Sequence, residues 1–162
     1  MYQLAHVANT ILFRAKNEEM AVSPMKLQKL VYFLYAEYLY NENDHLFAER
    51  FEAWKYGPVL DDIYQAFKEY GASRIKKYMP DATGLYQIID TDSDRQFKIC
   101  FDEVWYTYAA KTGIELSKIT HQPFSAWYAA VSAGKTFLRD QDIIAEMEQR
   151  YNGRRTEETS PC

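Results

Sequence analysis

The chain has 162 residues, of which 48% are apolar, and a formal net charge of −4. A chain of this length buries roughly 70% of its unfolded surface, which is enough for one domain with one core. The negative charge disfavours nonspecific binding to nucleic acid or to an anionic membrane, since both attractions grow with excess Lys and Arg.

The residue pattern does not support a metal site, a cofactor site or a membrane-spanning segment. The two cysteines, Cys100 and Cys162, provide neither a disulfide framework nor zinc-ligand spacing. A glycine-rich phosphate loop is absent, so we expect no cofactor and no metal. The most apolar stretch, residues 30–40, contains Glu37 and is too short to span a bilayer. We expect a protein of the reducing cytoplasm that is neither secreted nor inserted into a membrane.

Two helices are predicted in the first forty residues. Apolar residues from Leu4 to Ala15 recur at helical spacing and predict an amphipathic first helix. The second helix has a clear start, because Ser23 can accept hydrogen bonds from free backbone amides and Pro24 suits the first helical position. Its apolar residues cover most of the circumference, which is typical of a central helix. They include Leu27, Leu30, Val31, Leu34, Tyr35, Tyr38 and Leu39.

A narrow polar stripe is expected on this second helix, formed by Lys26, Lys29 and Glu37. Phe33 falls within the stripe. The favoured interpretation is that another element covers Phe33, and the alternative is an aromatic side chain that contacts a partner.

A sharp corner follows the second helix. Residues 46–54 alternate partly between apolar and polar and predict a short strand. Gly57 can then adopt a backbone conformation that other residues avoid, and Pro58 is expected to start a third helix. That helix carries one apolar face, and Gly71 is expected to end it as a left-handed cap.

The second half of the chain predicts an irregular loop and four further helical segments. The loop, residues 72–93, has a second short β element near 85–89. The helices are expected from about Asp94 to Lys111, up to His121, over 126–133, and from Asp140 through Met147. The predicted fold is therefore mainly α: a compact bundle of about six helices with short β elements near 46–54 and 85–89. Residues 1–151 form the single helical domain of this prediction, and 152–162 form a polar, disordered tail.

Candidate chemistry is sparse. Thr120 and His121, with Ser125 nearby, can be read as a nucleophile and a base, but no nucleophile elbow and no paired acid accompany them. A histidine that satisfies backbone groups between two helices is the favoured interpretation.

Two small basic clusters are also present. Their members are Arg74, Lys76 and Lys77 in the first, and Arg150, Arg154 and Arg155 in the second. On an acidic chain such clusters usually form a solvated surface, and the alternative is contact with an acidic partner.

Three segments resemble a known family. They are SPMKLQKLVY (23–32), FEAWKYGPV (51–59) and LSKITH (116–121), the last followed by Trp127. In order and spacing they are similar to the Panacea domain of SocA-like, phage-associated (GepA-type) proteins over most of residues 1–150. The family tends to place proline directly before that tryptophan, whereas here Ala126 precedes Trp127 and the proline is Pro123.

The resemblance implies an antitoxin: a mostly helical domain that neutralises a cognate protein toxin, encoded by an adjacent gene, by direct binding. Some relatives look like adaptors that deliver a bound toxin to an ATP-dependent protease. Two alternatives from other classes are a small hydrolase that uses His121 and a nucleic-acid-binding regulator that uses the basic clusters. Neither is favoured, and we expect no catalytic residue and no nucleic-acid partner.

Motif residues are divided by expected role. The candidates for contacting a partner, or for shaping the pocket around the corner at Gly57 and Pro58, are Lys26, Lys29, Phe33, Lys55, Tyr56, His121 and Trp127. The candidates for a structural role are Ser23, Pro24, Leu27, Leu30, Trp54, Gly57, Pro58 and Gly71.

Overall fold

The structure, a computed structural model, describes residues 1–158 and is mainly helical, as predicted. Across these residues it has seven α-helices, one more than the approximate number expected, together with a 3-10 turn and a two-stranded hairpin. The elements are α1 (Leu4–Asn17), α2 (Pro24–Glu42), β1 (Glu52–Trp54), β2 (Gly57–Val59), α3 (Asp61–Phe67), the 3-10 turn (Lys68–Tyr70), α4 (Arg95–Tyr108), α5 (Gly113–Thr120), α6 (Ala126–Ser132) and α7 (Asp140–Glu158). Within the described residues, no helix has the length and apolar character needed to cross a membrane.

Helix α2 is the centre of the fold. It begins as predicted: the Ser23 Oγ accepts a hydrogen bond from the Lys26 backbone N–H at 3.3 Å, and Pro24 occupies the first turn. Helices α1, α3, α4, α5 and α7 and strand β2 all pack against it. Leu27 and Leu30 are fully buried in this core. Being surrounded on nearly all sides explains why the sequence of α2 is apolar around most of its circumference.

The predicted polar stripe of α2, formed by Lys26, Lys29 and Glu37, is buried in the structure. Lys26 donates from Nζ to the Ala109 carbonyl at 2.6 Å, and Glu37 accepts hydrogen bonds from Asn41 and from the Tyr151 hydroxyl. Each buried polar group is thus paired, as burial requires. These partners come from α2 itself, from Ala109 after α4 and from α7.

Phe33 is also covered by another element, as favoured from the sequence. Its side chain is 1% exposed and stacks on Tyr108 of α4, with ring centroids 4.0 Å apart and planes 8° apart. The Arg150 guanidinium of α7 lies 5.6 Å from the ring centroid. Phe33 is therefore a core residue in this structure and not an exposed contact aromatic.

Strands β1 and β2 form an antiparallel hairpin in which Ala53 pairs with Pro58 and Trp54 with Gly57. The strand predicted within 46–54 is thus present over its last three residues. Pro58 does not start a helix as expected, because the positive φ of Gly57 returns the chain into the hairpin and α3 begins only at Asp61. A proline is accepted in a strand that lies at a sheet edge.

Two further expectations fail locally. Gly71 has a positive φ of 56°, but it follows the 3-10 turn and its ψ of −117° lies outside the left-handed helical region, so it is not the predicted cap. Residues 85–89 form no strand. The side chains of α1 satisfy this loop instead: Asn9 donates to the Gln87 carbonyl, and the Ile89 N–H donates to Thr10 Oγ1.

Helix α7 extends further than predicted. Residues 152–158 continue the helix instead of forming a disordered tail, while 159–162 lie outside the described residues. Contacts hold α7 in place: the buried Glu146 carboxylate accepts from the Tyr32 hydroxyl at 3.1 Å and from the Ala126 N–H at 3.0 Å. Farther along, Arg154 pairs with Glu103 of α4 at 2.5 Å. The boundary expected at residue 151 therefore falls inside a docked helix.

Candidate functional site

The three motif segments meet at the hairpin formed by β1 and β2. Lys55 and Tyr56 make its two-residue turn and are both exposed; we call this pair the hairpin tip. Tyr56 is 56% exposed, and the Lys55 Nζ lies 5.4 Å from the centroid of its ring. The tip thus presents an aromatic ring and a cation to solvent.

Side chains from other elements hold the backbone of this hairpin. We call them the carbonyl clamp, because each donates a hydrogen bond to a backbone carbonyl between residues 54 and 60. The pairs are Trp127 Nε1 to Trp54 O (2.6 Å), His121 Nε2 to Lys55 O (3.0 Å), Ser117 Oγ to Tyr56 O (2.7 Å), Lys29 Nζ to Pro58 O (3.0 Å) and Gln28 Nε2 to Leu60 O (2.9 Å). The donors come from α2, from α5 and the residue after it, and from α6. A turn held at nearly every carbonyl has little freedom to change shape.

Both ring nitrogens of His121 lie within hydrogen-bonding distance of backbone carbonyls. Its Nδ1 lies 2.5 Å from Ser117 O and its Nε2 lies 3.0 Å from Lys55 O. A backbone carbonyl only accepts, so whichever ring nitrogen carries the N–H has an acceptor in place. The ring also packs on Trp127, with centroids 3.9 Å apart. This geometry agrees with the interpretation of a histidine that satisfies backbone groups.

The hydroxyl groups near His121 also form hydrogen bonds with backbone groups. Thr120 is fully buried and donates from Oγ1 to the Ser117 carbonyl at 2.7 Å. Ser125 caps α6 by accepting from the Tyr128 N–H at 3.1 Å. Thr120 Oγ1 also lies 3.5 Å from His121 Nδ1, but Thr120 is fully buried and Ser125 is 1% exposed, so neither hydroxyl is open to a substrate in this structure.

Lys29 is the most unusual member of the clamp. It is 1% exposed, and among the described residues its ammonium has the Pro58 carbonyl as hydrogen-bond acceptor and no carboxylate in an ion pair. Desolvation by burial lowers the pKa of Lys29 from 10.5 to about 7. Lys26 shows the same direction: burial lowers its pKa, while the Glu115 charge acts against the shift. Neither lysine lies on a surface that a partner can reach.

Gly57 allows the hairpin to lie close to the side chains that hold it. Its φ of +116° is one that L side chains rarely adopt. An added Cβ would lie 2.5 Å from Thr120 Oγ1 and 2.9 Å from Lys29 Cε, so neighbouring atoms occupy the space. Both the backbone conformation and the packing at this position require glycine.

A groove runs beside the tip. It is lined by Met25, Tyr56, Ile114, Ser117, Lys118 and His121, and its volume is about 590 Å³. Ile114 is 66% exposed on its wall. We call it the hairpin groove. An exposed apolar concavity next to the cations Lys55 and Lys118 is typical of a surface that binds another protein.

The structure brings together five of the seven residues proposed from the sequence for partner contact or pocket shaping: Lys29, Lys55, Tyr56, His121 and Trp127. Lys26 and Phe33 lie elsewhere: Lys26 contacts Ala109, the residue after α4, and Phe33 stacks on Tyr108 of α4. Sequence reasoning missed Gln28, Ser117 and Ile114. A signal was available for the latter two: residues 114, 117, 118 and 121 follow the spacing of one helix face, which lines the groove.

The contribution of the clamp can be tested with Trp127→Phe. This change keeps a ring beside His121 but leaves the Trp54 carbonyl without its donor, so we expect a loss of about 1–2 kcal/mol in the free energy of unfolding. Urea unfolding measures the loss, and amide exchange at residues 54–57 should accelerate. Trp54→Phe is the matched control, because its indole N–H donates only to the neighbouring Glu52 side chain. Equal destabilisation by both variants would argue against the clamp.

These features define a class: a helical domain whose family motifs build a fixed, outward-facing hairpin. The model of the antitoxin SocA-like, Panacea domain family matches residues 27–128, and the chain belongs to this family. All five donors of the carbonyl clamp fall within the match.

One curated relative is Antitoxin SocA of Caulobacter vibrioides (strain NA1000 / CB15N), which is 29% identical over 126 residues. The aligned part covers 75% of this chain and 66% of the relative, slightly less than two thirds of that protein's length. No solved structure matches the chain. The resemblance drawn from the three motif segments is confirmed.

Proposed function

We propose that this chain is the antitoxin of a toxin–antitoxin pair and neutralises a cognate protein toxin by direct binding. The proposal assigns contact to the hairpin tip and the hairpin groove. Membership of an antitoxin family supports the role. The observation that carries the choice of surface is the carbonyl clamp, which uses the residues of the family motifs to hold the backbone of Lys55 and Tyr56 while leaving both side chains exposed.

Rigidity of the tip favours tight binding. Ordering a mobile loop on association costs free energy, and a turn that is already fixed avoids most of that cost. Tyrosine is also among the side chains that most often dominate interface energies. The toxin surface that fits would insert an apolar side chain into the hairpin groove and place acidic groups near Lys55 and Lys118. No bond-making by the antitoxin's own side chains is part of this proposal.

Tyr56→Ala is the direct test of the surface. The neighbouring open reading frame is co-expressed as the toxin, and we expect this variant to fold normally but to lose about 2 kcal/mol of binding energy or more, roughly thirty-fold in affinity. Growth of the co-expressing cells and copurification of the complex are the readouts. Tyr86→Ala is the control, since Tyr86 is 66% exposed and lies outside the hairpin site. If Tyr56→Ala neutralises as well as the wild type, the assigned surface is wrong.

The same proposal has a proteolytic version, in which the chain also delivers the bound toxin to an ATP-dependent protease. The two versions differ in the lifetime of the toxin. Direct neutralisation alone leaves the toxin half-life in cells unchanged or longer when the antitoxin is present, because the complex is stable. Delivery shortens the half-life only when both the antitoxin and the protease are present. A pulse-chase measurement in cells with and without the protease separates them.

A further inference from the structure

A second groove lies where the end of α1 meets the loop after the 3-10 turn. Its volume is about 360 Å³. Leu12 and Val22 are among the apolar residues of its floor, and Lys16, Arg74, Lys76 and Lys77 provide four cations along it. We call it the basic groove. It shares no lining residue with the hairpin groove.

The loop that carries three of these cations is anchored. The Ile75 N–H donates to the Val22 carbonyl at 2.9 Å, and the Ile75 side chain is only 8% exposed. Its neighbours Arg74 and Lys76 are both exposed. The anchor therefore holds a cation on each side of a buried isoleucine, next to the apolar floor.

Most of the charge in this groove is not neutralised within the described chain. Lys77 pairs with Glu69. The side chains of Lys16, Arg74 and Lys76 have no hydrogen-bond or ion-pair partner among residues 1–158. The whole chain is acidic, with 23 Asp and Glu against 19 Lys and Arg, so this concentration of free cations differs from its surroundings. Carboxylates are the natural partners of such a site.

We propose that the basic groove binds an acidic peptide segment of a partner protein. An apolar side chain of that segment would occupy the floor at Leu12, Val22 and Ile75, and its flanking carboxylates would pair with Lys16, Arg74 and Lys76. A nucleic acid fits less well: the groove is short, its floor is apolar, and the net negative charge of the chain repels a long polyanion. This proposal is independent of toxin binding at the hairpin.

The probe is a fluorescein-labelled peptide of about twelve residues in which Glu alternates with Leu, a pattern suited to an apolar groove with a cationic rim. Its fluorescence anisotropy is titrated with the full chain at about 50 mM and about 300 mM salt. Two further probes are the same peptide with Ser in place of Leu, and a single-stranded DNA of equal charge. The variant Arg74→Glu/Lys76→Glu is compared with Lys111→Glu/Lys135→Glu, which changes net charge equally at exposed lysines outside the groove.

The expected result is saturable binding of the Glu–Leu peptide that weakens at the higher salt concentration. The groove variant should lose about ten-fold in affinity or more, the control variant about two-fold or less, and the Ser peptide should bind about ten-fold more weakly. Equal losses in the two variants would show attraction to overall charge and overturn the proposal. It would also be overturned by absent peptide binding, by a Ser peptide that binds equally well, or by tighter binding of the DNA.

Discussion

Replacing Gly57 by alanine should destabilise the protein by about 2–5 kcal/mol and remove the proposed toxin neutralisation. Two costs combine at this position. The φ of +116° strains any residue with a Cβ, and that Cβ would overlap Thr120 Oγ1 at 2.5 Å. Relief would require the hairpin to move away from α5, which would lengthen the hydrogen bonds of the carbonyl clamp. Urea unfolding gives the free-energy change, and co-expression with the toxin gives the functional one.

Gly134→Ala measures the cost of a positive φ without close packing. Gly134 also has a positive φ, +64°, but an added Cβ there would have no atom within 4 Å among the described residues. We expect this control to cost only about 1–2 kcal/mol, from backbone strain alone, and to leave neutralisation intact. Similar losses in the two variants would mean that close packing at Gly57 contributes little. Full activity of a stable Gly57→Ala protein would contradict the assigned role of the hairpin.

Lys29 should make the free energy of unfolding depend on pH between about 7 and 10.5. Its pKa is about 7 in the folded state and 10.5 when unperturbed, so between these values the unfolded chain binds more protons. Stability therefore rises as pH increases through the window, and the burial of a charged ammonium is fully unfavourable below it. From pH 7 to about pH 9 the contribution of Lys29 amounts to about 2 kcal/mol.

Lys29→Met tests this assignment, because methionine fills a similar space without a charge. The free energy of unfolding is measured at several pH values for both proteins, and the variant is expected to lack the rise. Taking the difference between the two curves cancels the titration of groups common to both. Lys135→Met, at an exposed lysine, should follow the wild type. Parallel curves for wild type and Lys29→Met would show that Lys29 stays charged in the folded protein.

Local rules predicted a large part of this fold. Ser23 and Pro24 start α2, and Asp94 caps α4 by accepting from the Phe97 N–H at 3.0 Å. Each of these features depends on residues close together in the chain, so a short window of sequence contains the whole cause. The all-round apolar pattern of α2 likewise predicted its central position.

Long-range partners explain what the sequence did not predict. Pro58 was expected to begin a helix because proline is common there, but the hairpin depends on Lys29, His121 and Trp127, which are distant in sequence. Lys29 was predicted to lie on the polar stripe of α2, and its burial was not predicted, since lysine is rarely buried without a paired charge. Its acceptor, the Pro58 carbonyl, is visible only when the fold brings the two together. The loop at 85–89 lacks its expected strand for the same reason: α1 supplies its hydrogen bonds.

The donors of the carbonyl clamp are far apart in sequence, so they become available at different times during translation. Gln28 and Lys29 leave the ribosome early, whereas the donor to Trp54, the indole of Trp127, emerges about a hundred residues later. A nascent polypeptide that ends before α6 has the other four donors of the carbonyl clamp but lacks Trp127, so the Trp54 carbonyl has no indole partner. The complete set of clamp donors is therefore available only late in translation, and chains that end before α6 should hold the hairpin turn less firmly.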